Sequence, residues 1–212
     1  MRLVQGIVAF GIFVFIAGAA RAETRSLTIV EVGFPAANCV FSASCTITVN
    51  DSVGHIQMPF LAKERTALLQ SRTFTGASGT PAAGLTGYIY RISLTQAAGR
   101  GGCLLGFVID FGPVAKLPYK AGSPPADVFV GSLGGGLGTI GLASAEQSGD
   151  IITFTLKSPL CLPESPSNDA TTFFIGLASN QRPKAITASV FASGSPPTYS
   201  MPARAPAYGD SR

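Results

Sequence analysis

Two carboxylates are the first side chains of this 212-residue sequence to weigh for chemistry. Asp110 sits in the apolar run CLLGFVIDF at 103–111, and Asp127 opens the strand-like DVFVG after a loop rich in Gly, Ser and Pro. Glycoside hydrolysis uses two acids about 5–10 Å apart, one of them with a raised pKa. Apolar surroundings raise a carboxylate in that way. The same pair, Asp110 and Asp127, are the weak candidates for a Ca²⁺ site. Calcium takes about six to eight oxygen ligands, however, and no D-x-D-x-D-G string is present. Structural roles at strand ends are the leading expectation for both residues, with no catalytic set and no resident metal.

Other chemistries have less to work with. His55 is the only imidazole, and it lies in DSVGH (51–55), which reads as a polar turn. No serine occupies a G-x-S-x-G elbow, so a hydrolytic triad has neither its nucleophile nor a placed base. Gly136, Gly138 and Gly141 formally fit G-x-G-x-x-G. That motif binds a dinucleotide only between a strand and a helix, and no helix follows here. A glycine-rich turn and no cofactor are therefore expected. Tyr88 and Tyr90 share one strand face that Ile92 and Leu94 continue, which favours core packing over a sugar-stacking platform. The densest basic patch, Lys63-Glu64-Arg65 with Arg72, reads as a solvated face. Nucleic acid is excluded as a partner, because the charge lacks the needed electrostatic footprint. Asn50-Asp51-Ser52 is a glycosylation sequon on an expected turn.

The four cysteines, Cys39, Cys45, Cys103 and Cys161, form no C-x-x-C pair, which argues against zinc. An even number in an exported chain points to two disulfides. Of the three pairings, Cys39–Cys45 with Cys103–Cys161 is favoured. The first closes a hairpin-like loop, and the second joins two apolar strands distant in sequence.

The elements that hold these residues read as strands. Residues alternate apolar and polar at 45–50, 152–157 and 186–190, with one face toward a core and one toward water. The runs 103–111 and 172–177 are apolar on both faces, as in central covered strands. Strands are expected at 26–33, 44–50, 66–75, 86–96, 102–111, 127–132, 150–157, 171–178 and 185–192. A further edge strand is possible at 198–203, where Pro202 demands an edge or an end. The one helical candidate is 58–70, with a loop and strand as its alternative. IGLAS recurs at 140–144 and 175–179, two similar strand-to-turn corners rather than a repeat array.

The N-terminus is different in kind. Residues 3–20 are an apolar run behind Arg2, followed by Ala20-Arg21-Ala22, the small-x-small pattern of a cleaved signal peptide. A retained anchor is the alternative. Loss of residues 1–22 removes Arg2 and Arg21 and lowers the formal net charge from +4 to +2. Charged residues are 12% of the chain, about half the usual share, while 25 Gly and 15 Pro make it turn-dense. That composition excludes a coiled coil and a charge-rich disordered chain.

The expectation is an all-β protein, one antiparallel β-sandwich (jelly-roll or immunoglobulin-like) of about eight or nine strands. Its parts are a signal peptide at 1–22, a sandwich at 23–195 and a Pro-rich flexible tail at 196–212. In composition, though through no specific motif, it resembles exported pilin- or adhesin-like sandwiches. The expected protein is secreted, periplasmic or extracellular, non-enzymatic, with a structural, adhesive or envelope-associated role and no membrane span after cleavage. Its expected partners are an envelope or extracellular protein, or a glycan. A carbohydrate-binding module or carbohydrate-active enzyme is the alternative.

Overall fold

The alternating pattern resolves into two six-stranded sheets packed together. A computed structural model describes residues 23–56, 67–97, 102–193 and 198–208, with the backbone alone at 50–53, 55 and 56. The described elements are β1 (Thr24–Ser26), β2 (Ile29–Gly33), α1 (Phe34–Phe41), β3 (Asn50–Ile56), β4 (Ala67–Thr75), β5 (Thr86–Ser93), β6 (Cys103–Asp110), β7 (Val128–Leu133), β8 (Leu142–Ser148), β9 (Ile151–Cys161), β10 (Ile175–Ser179), β11 (Pro183–Ala192) and β12 (Thr198–Pro206). One sheet runs β1-β8-β9-β6-β11-β12 and the other β2-β7-β10-β5-β4-β3. The all-β sandwich is thus observed, with more and shorter strands than expected. Its strand pairs are antiparallel except β2–β7, which is parallel.

The segment expected as one strand at 26–33 is two, because the chain changes sheets there. Leu27 N–H still donates to Ala145 in the first sheet, whereas the Thr28 carbonyl accepts from Asp127 and Val128 N–H in the second. The opposite side closes too. Gly54 of β3 lies so near β12 that a Cβ there would meet the Pro202 carbonyl at 2.5 Å.

Aromatic and aliphatic side chains from both sheets fill the inner core. Phe107 and Phe154 stack at 4.5 Å between centroids, and Tyr88 meets Phe111 edge-on at 5.2 Å. A second cluster lies on the outer face of the β2–β3 sheet, where Val40 and Phe41 of α1 pack with Phe74, Ile89, Phe129 and Phe174. Covered on both faces, β5, β7 and β10 hold the longest runs of consecutive buried residues among the described strands.

Four local expectations are corrected. Residues 44–49 are not a strand: Cys45 sits at φ +54 and is tied to Cys39 of α1, so Ile47 and Val49 alternate only because a loop leans on the outer cluster. The turn expected at 51–55, with His55 and the sequon, is instead strand β3, its backbone in register with β4 from Asn50↔Thr73 to Ile56↔Ala67. The edge strand raised at 198–203 forms and runs on to 206 as β12, paired with β11 from Phe191↔Thr198 to Pro183↔Pro206, so the segment assigned to a flexible tail belongs in large part to the sandwich. Helix α1 was not expected; Pro35 sits in its first turn, where a missing N–H costs nothing, and Ala37, Val40 and Phe41 make its buried stripe. The signal segment, most of the 58–70 candidate and Lys63–Arg65 lie outside the described residues.

Candidate functional site

Both disulfides form as expected: Cys39–Cys45 staples α1 to the loop after it, and Cys103–Cys161 joins directly opposed positions of β6 and β9. No helix among the described residues is long and apolar enough to cross a membrane.

The two aspartates have different surroundings. Asp110 is exposed at the end of β6. Asp127 is 1% exposed just before β7, at the crossing between sheets. Its Oδ2 accepts the Thr28 N–H at 2.9 Å and faces Lys116 Nζ at 3.6 Å, while its Oδ1 takes Arg25 Nη1 at 3.3 Å. Arg25 also donates to Gln147 Oε1 from Nε (3.1 Å) and Nη2 (2.7 Å), and Gln147 Nε2 donates to the Gly112 carbonyl at 2.6 Å. Two cations and an N–H thus hold the carboxylate where a metal would need it free. No group of three His, Cys, Asp or Glu side chains suited to a metal occurs among the described residues. The arrangement pins the β1–β2 crossing to both sheets. Sequence reasoning missed Arg25 and Gln147, since β8 turns Ala145 and Gln147 inward and shows no apolar alternation.

Tyr88 and Tyr90 are fully buried and present no stacking face. Each hydroxyl reaches across to a backbone carbonyl: Tyr88 donates to Gln181 at 2.8 Å, and Tyr90 to Arg204 at 2.6 Å. Burial pushes both phenols well above their ordinary range; a Thr86 hydrogen bond opposes this at Tyr88, and the Tyr88 neighbour adds to it at Tyr90. On the outer face of the second sheet, the guanidiniums of Arg72 and Arg91 lie 4.8 and 5.3 Å from the Phe174 ring centre. Burial lowers the Arg91 pKa, and the Arg72 charge beside it adds to the effect. Gly136 to Gly141 form the turn from β7 into strand β8, with Gly138 at φ +149 against the Thr172 backbone. No helix N-terminus follows to receive a phosphate.

A cleft of about 400 Å³ opens at one end of the sandwich, between the α1 loop, the end of β4, the start of β5 and Pro183 of β11. Six hydroxyl side chains line it: Ser42, Thr46, Thr48, Thr73, Thr75 and Thr86. Phe41 and Phe74 meet edge-on at 4.7 Å beneath it. No charged side chain among the described residues lines this cleft. Of its hydroxyls, those of Thr46 and Thr48 had passed in sequence for the polar half of the alternation at 45–50. No family model matches the chain, and comparison with curated proteins and with solved structures finds no similar protein.

Proposed function

We propose that the chain is an exported, non-catalytic β-sandwich with a structural or adhesive role at the cell envelope or outside the cell. The observation that carries this reading is the pair of disulfides. One braces a surface loop and helix and the other clamps two central strands, and such bonds persist in oxidising compartments outside the cytosol. The apolar run at 3–20 with Ala20-Arg21-Ala22 supports the same route. In this role the fold presents surfaces rather than a reaction centre. Strand addition at β12 is disfavoured: Pro202 and Pro206 lack an N–H, and the Arg204 N–H between them already binds Ser71 Oγ at 3.0 Å. Contacts through the β1–β2 side, the loops and the outer face remain. The test is co-sedimentation of the purified, oxidised protein with the isolated envelope fraction of the producing cell. Saturable retention is expected. Protein left in the supernatant at every concentration would overturn the reading.

A further inference from the structure

We infer that the hydroxyl-lined cleft beside α1 binds a neutral, polyhydroxylated ligand: a short uncharged glycan. This goes beyond a structural role and can fail while envelope association stands.

The inference rests on three properties of the cleft. Its volume, about 400 Å³, falls in the range of small-ligand sites. Its polar lining is entirely hydroxyl among the described residues, and each hydroxyl both donates and accepts. Among the described residues, an ionic ligand would meet no counter-charge for the water it gives up. Ser42 and Thr46 already bond at Ser44, but an apolar ligand would cover the Thr48, Thr73 and Thr75 hydroxyls without offering them a partner. A saccharide ring satisfies both demands, exchanging hydrogen bonds at its hydroxyls and laying its C–H edges on Ile47, Ala77 and Pro183. The ligand is not held by aromatic stacking, since Phe41 and Phe74 are 1% and 6% exposed.

The third property is preorganisation. The Cys39–Cys45 bond fixes the loop that carries Thr46 and Thr48. The Phe41 carbonyl accepts the Ala77 N–H at 2.8 Å, joining the end of α1 to the opposite wall. On the β5 side, Thr86 is held opposite Thr75 in the β4–β5 ladder, and Tyr88 two residues on donates its hydroxyl to Gln181 in the turn before Pro183. Walls fixed before binding lose little entropy on taking a ligand.

The test is an NMR titration of the oxidised protein, following backbone amides and Thr methyls. The probes are neutral tetrasaccharides of β-linked glucose, α-linked glucose and N-acetylglucosamine, with a polygalacturonate tetramer and a Thr/Ser-rich peptide alongside. At least one neutral glycan is expected to shift Thr46, Thr48, Thr75 and Thr86 saturably. Thr48→Val with Thr75→Val, both at exposed positions, is expected to weaken binding about tenfold, as the loss of two hydrogen bonds predicts, with Tm unchanged. Cleft resonances unmoved by every neutral glycan at millimolar concentration would overturn the inference. So would shifts with the acidic sugar or the peptide alone, or undiminished affinity in the double variant.

Discussion

Ser71 and Tyr90 stand directly opposite each other on β4 and β5, and between them they hold both backbone polar groups of Arg204 on the facing sheet. Ser71 Oγ accepts the Arg204 N–H at 3.0 Å, and the Tyr90 hydroxyl donates to the Arg204 carbonyl at 2.6 Å. An edge strand ordinarily offers such groups to any passing chain. Here a cross-strand pair occupies them and closes one side of the sandwich.

Removing either grip should therefore cost stability. Tyr90→Phe keeps the buried ring but orphans a carbonyl, and Ser71→Ala orphans an N–H. Each is expected to cost about 1–2 kcal/mol in urea unfolding. Both act on one residue, so the double variant is expected to depart from additivity. Strictly additive losses would mean that the two bonds do not act together.

Alkaline pH tests the same tyrosines. Burial is the first cause of the raised pKa at Tyr88, Tyr90 and Tyr119, and the Asp127 charge raises Tyr119 further. A phenol whose folded pKa lies above its unfolded value, about 10, contributes its full stability below that pH. Above it the unfolded chain sheds protons that the folded chain retains. Urea midpoints should be level from about pH 7 to 9 and fall from about pH 10 upward. The fall should be shallower in Tyr90→Phe.

At the sheet crossing, Asp127→Ala is expected to destabilise by about 2–3 kcal/mol, since it frees the Thr28 N–H and leaves Arg25 and Lys116 without their anion. Asp127→Asn keeps an acceptor for Thr28 and should cost about 1 kcal/mol. Arg25 and Lys116 are 45% and 53% exposed, so water compensates part of the loss. With the carboxylate occupied by cations, calcium is expected to leave Tm unchanged in thermal unfolding.

The parts of the fold legible in sequence were those whose cause is local. The run 172–177 read as covered on both faces and leads into β10, which is buried throughout, and β9 alternates through Ile152, Phe154 and Leu156. The run 103–111 is central, between β9 and β11, but its burial alternates, so only one of its faces is covered. Strand β8 was hidden because Gln147 lies inside, a position that makes sense only with Arg25, 122 residues away. Helix α1 was hidden because two turns show little period, and the turn that receives its last carbonyls comes some forty residues later. Asp127 stood in sequence only as a weak calcium candidate beside Asp110 at a strand start, because its partners Arg25 and Lys116 are set by the crossing, which no short window shows. The cleft was illegible for the same reason. Its hydroxyls come from a loop and two strands that meet only in the folded chain.

The disulfides separate by loop size. In the chain-entropy account Cys103–Cys161 closes the long loop and contributes roughly 4 kcal/mol, against roughly 2.5 for Cys39–Cys45. Paired Cys→Ser replacement at 103 and 161 should lower the urea midpoint more than replacement at 39 and 45. The second pair should instead loosen the α1 loop, seen as faster amide exchange around residues 42–48.

The most direct measurement of the central claim, export of an oxidised sandwich, is the mass of the protein recovered from its producing cell after alkylation without reduction. The expected species lies outside the cytoplasm, begins at Glu23 and carries no alkylated cysteine, with four labelled only after reduction. A full-length cytoplasmic chain with its cysteines alkylated from the start would contradict it.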